Sequence, residues 1–202
     1  MRLIIVRHGE TDANVNGVLQ GHQDNPLNHR GRIQAKRVAH RLADEPMDAL
    51  YSSDLLRAIE TARAISSAVG VDLETSHELR ERSYGEFEGR PVHEYRSALA
   101  ASGLQREEFV PLGGESVVQV EARVSKFLSD LREQFAMKTV TLVAHSGTNR
   151  ALLKILLNKQ YSDWLSIEQD NACVNIFEIS RDGVKPVTVN CTAHLAPNDK
   201  HQ

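Results

Sequence analysis

Two histidines follow buried strands at corresponding positions of the chain. His8 comes after the apolar run 3–6 and Arg7, and His145 comes directly after the apolar run 139–144. The carboxyl ends of parallel strands meet at one edge of an open α/β sheet, which is where such sheets hold ligands. We therefore expect the two histidines and Arg7 to lie close together in a ligand site.

Arg57 adds a second guanidinium group to this predicted site. It lies in the first turn of a predicted helix, off the apolar stripe of that helix. Taken alone, Arg57 would be read as an exposed arginine and each histidine as an ordinary core residue. Two histidines at equivalent strand ends favour a functional site instead. Because guanidinium groups and helix N-termini both bind phosphate oxygens, the ligand that fits is a phosphate.

Hydrophobic periodicity and turn residues predict the elements that position these side chains. Asn28 is expected to cap a helix, and Ser53 or Asp54 is expected to cap the next helix, which Gly70 ends. The predicted strands are 2–6, 48–51, 71–73 and 139–144, with a terminal hairpin of 173–179 and 184–190. The predicted helices are 28–42, 55–69, 92–101, 115–135 and one after His145, and 12–26 is predicted to be a loop.

Strands separated by helices predict a three-layer α/β/α sandwich with a mostly parallel central sheet. The length of 202 residues favours a single domain, 1–202, with the polar and irregular segment at about 77–114 as a short inserted cap region.

Composition excludes several classes of protein. Apolar residues make up 41% of the chain and charged residues 25%, as in ordinary globular domains. The formal net charge of -3 lacks the basic footprint of a nucleic-acid-binding protein. No apolar run is long enough for a signal peptide or a membrane span, so we expect a cytoplasmic protein. Cys173 and Cys191 are far apart without metal-ligand spacing, and we expect free thiols.

Four ordered segments resemble a known family. LIIVRHGETDAN, LYSSDLLRAIETA, LRERSYGEFEG and LVAHSG together are similar to the histidine phosphatase superfamily, in its phosphoglycerate mutase-like branch of mutases and small phosphatases. The resemblance implies that His8 is a nucleophile that forms a phosphohistidine. It also implies that Arg7, Arg57 and His145 hold the phosphoryl oxygens.

The chemistry of these residue types agrees with that implication. An imidazole is a nucleophile only when it is neutral, and a hydrogen bond from its other ring nitrogen to a backbone carbonyl would fix the tautomer. Phosphoryl transfer needs positioning and charge stabilisation, which fixed cations supply here as magnesium does in kinases. We therefore predict that the reaction needs no metal ion and no cofactor.

The resemblance assigns further residues. Glu81 would protonate the leaving oxygen and later activate water, although the sequence alone would place it in a charged surface loop. Asn14, Gln20 and Gly21 match positions that contact the phosphate, and Tyr84 is expected at the mouth of the pocket. Ser146 replaces a glycine common in the family, but its backbone N–H can still donate.

We expect a phosphatase that hydrolyses a small phosphate monoester. The first alternative is a phosphoglycerate mutase, which needs a second anionic grip, and the segment 85–114 contains no adjacent arginine pair. The short insert should also admit water to the phosphohistidine. The second alternative is a non-catalytic protein that binds a phosphate ligand, and the complete set of core residues argues against it. Few aromatic residues leave no platform for a base, and homodimerisation is compatible with the sequence.

Overall fold

A six-stranded sheet forms the centre of the computed structural model, which describes residues 1–196. Its strand order is β3-β2-β4-β1-β5-β6. The strands are β1 (Arg2–Arg7), β2 (Ala49–Ser52), β3 (Leu73–Thr75), β4 (Thr139–Ala144), β5 (Val174–Ser180) and β6 (Gly183–Cys191). The helices are α1 (Asp12–Val15), α2 (His29–Leu42), α3 (Leu56–Val69), α4 (Val92–Ser102), α5 (Val117–Gln134) and α6 (Ser146–Leu156), with 3-10 turns at His77–Leu79, Gly85–Phe87 and Tyr161–Ser166.

The first four strands are parallel, and only β5, the first strand of the terminal hairpin, runs the other way. β1 pairs with β4, β4 with β2 and β2 with β3, all in parallel, whereas β5 is antiparallel to both β1 and β6. Arg7 is the register partner of Ala144. His8 and His145 therefore leave adjacent strands at the same level of the sheet.

Alternate residues of β1 face two helical layers. Leu3 and Ile5 belong to a buried cluster with side chains of α5 and α6, whereas Ile4 and Val6 belong to a second cluster with side chains of α2 and α3. Such alternation is expected of a strand buried on both faces. The predicted three-layer sandwich with a mostly parallel sheet is confirmed.

Helix capping follows the sequence in part. Asn28 Oδ1 accepts a hydrogen bond from the Gly31 N–H, as predicted for the start of α2, and Gly70 ends α3 with a positive φ of 72°. The cap predicted for α3 was wrong, because Leu55 is the N-cap residue and makes no side-chain cap bond. Asp54 instead receives two hydrogen bonds from the Arg80 guanidinium.

Residues 12–26 are not loop throughout, so that prediction was wrong at its start. Thr11 and Asn14 cap the short helix α1 reciprocally, each side chain accepting a backbone N–H of the other residue. This is a capping box in which Asn replaces the usual Glu or Gln. The third strand is also shifted, from the predicted 71–73 to Leu73–Thr75.

The segment predicted as a cap, 77–114, contains α4 and an aromatic cluster around a buried guanidinium. Arg82 donates hydrogen bonds to the Tyr95 hydroxyl and to the backbone oxygens of Phe109 and Glu115. The Tyr95 ring packs edge-on against Tyr84, Phe87 and Phe109. Within residues 1–196 no helix is both long and apolar enough to cross a membrane, and Cys173 and Cys191 are free, as predicted.

Candidate active site

A cavity of about 320 Å³ opens at the carboxyl edge of the parallel strands. Its walls come from the ends of β1, α3 and α6, and from the loops around α1 and Glu81. All predicted site residues except His145 line it: Arg7, His8, Asn14, Gln20, Gly21, Arg57, Glu81, Tyr84 and Ser146.

His8 is held as a neutral imidazole with a defined tautomer. Its Nδ1 lies 2.6 Å from the carbonyl oxygen of Gly9. Because a carbonyl oxygen can only accept, Nδ1 carries the proton and Nε2 keeps its lone pair. Burial, with further contributions from Arg57 and Arg7, holds the pKa of His8 well below its usual range. The ring nitrogen that would attack a phosphorus atom is therefore unprotonated at neutral pH.

His145 lies beside His8 but deeper in the protein. The two ring centroids are 5.1 Å apart, and the side chain of His145 is completely buried. Burial, followed by the charge of Arg57, lowers the pKa of His145 well below its usual range. Neither of its ring nitrogens has a hydrogen-bond partner within residues 1–196. A buried polar group of this kind costs free energy unless a ligand supplies its partner.

Arg57 is the most buried cation of the site. Its Nη1 donates to the Gln23 carbonyl oxygen and its Nη2 to that of Gly21, each at 2.8 Å. The guanidinium group therefore fixes the loop that carries Gln20 and Gly21. Burial lowers the pKa of Arg57 to about 10, which leaves it charged at neutral pH.

Arg7 directly precedes His8 in the sequence and is tied to a different loop from the one that Arg57 holds. Its Nη1 donates to the Gln169 carbonyl oxygen at 2.6 Å, and burial lowers its pKa. The Nε atoms of Arg7 and Arg57 have no partner within residues 1–196. Both cations thus reach the cavity with N–H groups left for a ligand.

The amide side chains of Asn14 and Gln20 have their oxygens occupied. Asn14 Oδ1 accepts hydrogen bonds from the Thr11 N–H and from Asn171, and Gln20 Oε1 accepts from the Thr11 hydroxyl. The NH₂ ends of both amides therefore remain to donate to an anion. Gly21 has a φ of 49°, and a Cβ there would collide with the Glu88 carboxylate. A glycine at this position therefore lets the backbone lie close to the Glu88 side chain.

Glu81 is nearly buried and held by two backbone amides. Its Oε1 accepts the Arg82 N–H at 2.9 Å, and its Oε2 accepts the Gly147 N–H at 3.1 Å. His22 Nε2 lies 2.8 Å from the backbone oxygen of Glu81, and Arg123 donates to that oxygen. These contacts place the carboxyl group at the cavity rather than in a solvated surface loop.

Tyr84 and Ser146 complete the predicted set. The Tyr84 ring packs at 5.2 Å against Tyr95, and burial raises the pKa of its hydroxyl, which stays protonated. Ser146 is the first residue of α6, so it brings the N-terminus of that helix to the cavity wall.

Several wall residues were missed by the sequence reasoning. Arg150 lies one helical turn after Ser146 on α6, and Arg96 one turn after Val92 on α4, a spacing that puts each pair on one helix face. That spacing was the available signal. The other missed residues are Val18, Leu19, Val92 and Gly147.

The polar segment just before β5, which contains Asn171, donates hydrogen bonds to the backbone and side-chain oxygens that hold the site residues in place. Asn171 Nδ2 donates to the backbone oxygen of His8 and to Asn14 Oδ1, both at 3.2 Å, and the Ala172 N–H also donates to that His8 oxygen. In the described part of the chain no group of three or more His, Cys, Asp or Glu residues is arranged to hold a metal ion.

The two central parallel strands are each followed by a neutral histidine, and buried arginines lie beside this pair. Together these groups form a site that can bind a phosphoryl group. The chain belongs to the histidine phosphatase superfamily (branch 1), whose family model matches residues 3–192.

Similar proteins extend over nearly the whole chain. It is 33% identical over 192 residues to the putative phosphoserine phosphatase 2 of Hydrogenobacter thermophilus, covering 93% of each chain. It is 34% identical to the 2,3-bisphosphoglycerate-dependent phosphoglycerate mutase of Rhizobium etli, covering 89% of this chain and 91% of that one. The structure of mycobacterial glucosyl-3-phosphoglycerate phosphatase with VO3 superposes with a TM-score of 0.85 at 28% identity, covering 95% of this chain and 99% of that one.

Proposed function

We propose that this protein is a phosphatase that hydrolyses a small phosphate monoester through a phosphohistidine on His8. The observation that carries this proposal is the His8 side chain, whose Nδ1 is tied to the Gly9 carbonyl and whose lowered pKa leaves Nε2 unprotonated beside Arg7 and Arg57. The phosphatase names among its relatives support the same reaction class.

In the first step His8 Nε2 attacks the phosphorus atom. A P–N bond forms as the P–O bond to the alcohol breaks, and the electron pair of that bond stays on the leaving oxygen. Glu81, in its protonated form, transfers a proton to this oxygen, so the alcohol leaves neutral. Arg7, Arg57 and His145 are proposed to bind the three remaining phosphoryl oxygens.

In the second step the Glu81 carboxylate takes a proton from a water molecule. The water oxygen attacks phosphorus, the P–N bond breaks, and its electron pair returns to His8 Nε2. Inorganic phosphate, a neutral His8 and a protonated Glu81 result, and the cycle closes. The same carboxyl group serves both half-reactions because two backbone N–H groups hold it at the cavity.

A mutase would return the phosphoryl group from His8 to another hydroxyl rather than to water. One observation favours this second candidate. No arginine pair is adjacent in the sequence, but folding brings Arg96 and Arg150 to the same cavity, where they could supply the second anionic grip that a mutase needs. The two reactions differ in whether water can outcompete an alcohol for the phosphohistidine.

The deciding experiment measures release of inorganic phosphate from phenyl phosphate in the presence of a metal chelator. Wild type should turn the ester over and His8→Ala should not, whereas His40→Ala, an exposed histidine on α2, should match wild type. Turnover under chelation would also support the predicted independence of metal. No turnover by wild type from mildly acidic to neutral pH would favour the mutase or the non-catalytic binder.

Two further expectations accompany this proposal. We expect a cytoplasmic location, and fractionation of cells that produce the protein would check it. Homodimerisation through an edge strand or an exposed helix would appear in sedimentation as twice the mass of the 22.5 kDa chain.

A further inference from the structure

A second cavity, of about 790 Å³, opens directly off the catalytic cavity. The two cavities have five wall residues in common: Leu19, Tyr84, Val92, Arg96 and Arg150. The catalytic cavity alone measures about 320 Å³, at the lower end of the range for ligand pockets. A larger alcohol bound at the phosphoryl site would extend past the shared residues into the second cavity.

The junction of the two cavities carries positive charge that the described residues do not neutralise. Within residues 1–196 Arg96 and Arg150 form no ion pair, and the one hydrogen bond from the Arg150 guanidinium goes to the Ile167 carbonyl oxygen. Arg90 and Arg82 of the insert differ, since Arg90 pairs with Glu94 and Arg82 is satisfied by three oxygens. Arg106 also lines the second cavity and, within residues 1–196, forms no ion pair.

A phosphoryl group does not need this additional charge. Arg7 and Arg57 already offset the two negative charges of a phosphate monoester at the catalytic end of the cavity. Arg96 and Arg150 stand beyond them, toward the second cavity. Their charge is complementary to a second anionic group on the part of the substrate that leaves.

Beyond the junction several apolar side chains line the second cavity, together with Arg82, Tyr95 and Arg106. Leu99 lies on α4 next to Arg96, and Leu104 and Leu165, 50% and 62% exposed, also line the second cavity. Trp164 adds a mostly buried indole to the same wall. Exposed leucines beside a cavity that continues from the active site favour a ligand with apolar surface to bury.

We propose that the second cavity binds the alcohol part of the substrate, and that this alcohol carries an anionic group next to the ester and an apolar segment beyond it. This inference rests on the proposed phosphatase function, because the same substrate places its phosphoryl group beside His8. It names a substrate class: amphiphilic phosphate monoesters with a second negative charge.

Four esters of one primary alcohol type separate the two features. N-acetyl-O-phosphoserine has the carboxylate only, N-octanoyl-O-phosphoethanolamine the apolar chain only, N-octanoyl-O-phosphoserine both and N-acetyl-O-phosphoethanolamine neither. We expect the carboxylate to raise kcat/KM by about tenfold or more, the range of one charge-assisted contact. We expect the octanoyl chain to raise it by at least about fivefold, through burial of several methylene groups.

Variants assign each gain to its residues. Arg96→Gln should reduce the ratio of kcat/KM between carboxylate and uncharged esters, and the double change Leu104→Ser, Leu165→Ser should reduce the ratio between octanoyl and acetyl esters. All three positions are exposed, so folding should be retained. The matched controls are Arg63→Gln, an exposed arginine on α3, and Val187→Ser on β6, and both ratios should stay at the wild-type value.

The possible failures point to different conclusions. If wild type hydrolyses all four esters equally and through His8, the second cavity is not a substrate site, although the phosphatase proposal stands. If no ester is hydrolysed, the phosphatase proposal fails, and calorimetric binding of the four corresponding phosphonates still decides the inference. Equal phosphonate affinities would then overturn it, and the same order of affinities in wild type, weakened in Arg96→Gln, would support it.

Discussion

The Glu81 carboxylate accepts a hydrogen bond from the backbone N–H of Gly147 at 3.1 Å, which joins the segment after β3 to the helix that follows His145. A Cβ at position 147 would overlap the Glu81 carboxylate. The first turn of α6 therefore both holds the carboxyl group of Glu81, the proposed proton donor, and limits the space around it.

Gly147→Ala should displace the Glu81 carboxyl group with little effect on stability, because the end of a flexible side chain can move away. We expect kcat/KM for an alkyl phosphate, which reports the steps up to departure of the alcohol, to fall by about 10² or more, the lower range for loss of a general acid. The kcat/KM of an aryl phosphate with an acidic leaving group should fall much less, since that leaving group needs no proton. Equal losses of kcat/KM for the two esters would contradict a role for Gly147 in placing the acid.

The buried histidine pair should make stability depend on pH. The pKa values of His8 and His145 in the folded protein lie well below 6.5, so the unfolded chain binds protons more readily than the folded chain. The stabilisation is therefore complete above about pH 6.5 and is lost as the pH falls below it.

The expected slope is at most about 1.4 kcal/mol per pH unit for each histidine. The free energy of unfolding, measured in urea between about pH 7 and pH 5, should fall less steeply for His145→Gln than for wild type. His40→Gln, at an exposed position of α2, serves as the control and should keep the wild-type slope. An unchanged slope in the His145 variant would argue against a neutral buried imidazole there.

Arg57→Lys should be a severe change although it keeps the charge. A lysine carries one ammonium group, and it lacks the fork that lets Arg57 bind the carbonyl oxygens of Gly21 and Gln23 together. We expect kcat/KM to fall by about 10² and the free energy of unfolding by about 1–3 kcal/mol, the cost of buried acceptors left without donors. Arg63→Lys on the exposed face of α3 should change neither quantity in kinetics and urea titrations.

The convergence of Arg7, His8 and His145 at one edge of the sheet was predictable because two physical rules suffice for it. Apolar runs at 3–6 and 139–144 mark central strands, and parallel central strands deliver the residues that follow them to one edge. The structure agrees with those rules, because Arg7 at the end of β1 pairs with Ala144 at the end of the parallel strand β4. Local rules also placed Asn28 and Gly70 at helix ends.

The remainder depends on tertiary contacts that leave no local signal. Arg96 and Arg150 belong to different helices, α4 and α6, and only the tertiary fold brings both to the wall of one cavity. In the sequence, Asn171 looks like an ordinary polar loop residue. In the structure it precedes β5, which pairs antiparallel with β1, and this pairing brings Asn171 within hydrogen-bond distance of the His8 backbone oxygen. Glu81 looked solvated for the same reason, because its burial comes from Gly147 and other residues distant in sequence.

Asn171 provides a test of this support behind the nucleophile. Its Nδ2 donates to two oxygens, the His8 carbonyl and Asn14 Oδ1, whereas an aspartate of the same shape could donate to neither. Asn171→Asp should therefore lower kcat/KM more than Asn171→Ala, because it sets a negative charge against both oxygens.

The pH profile of kcat/KM separates this positioning role from a general loss of structure. A negative charge near His8 favours the protonated imidazole, so its pKa should rise in Asn171→Asp. Since only the neutral imidazole attacks phosphorus, the acid limb of the profile should move to higher pH in that variant and stay in place in Asn171→Ala. A uniform loss of activity across pH in both variants would show that Asn171 supports the fold without setting the state of the nucleophile.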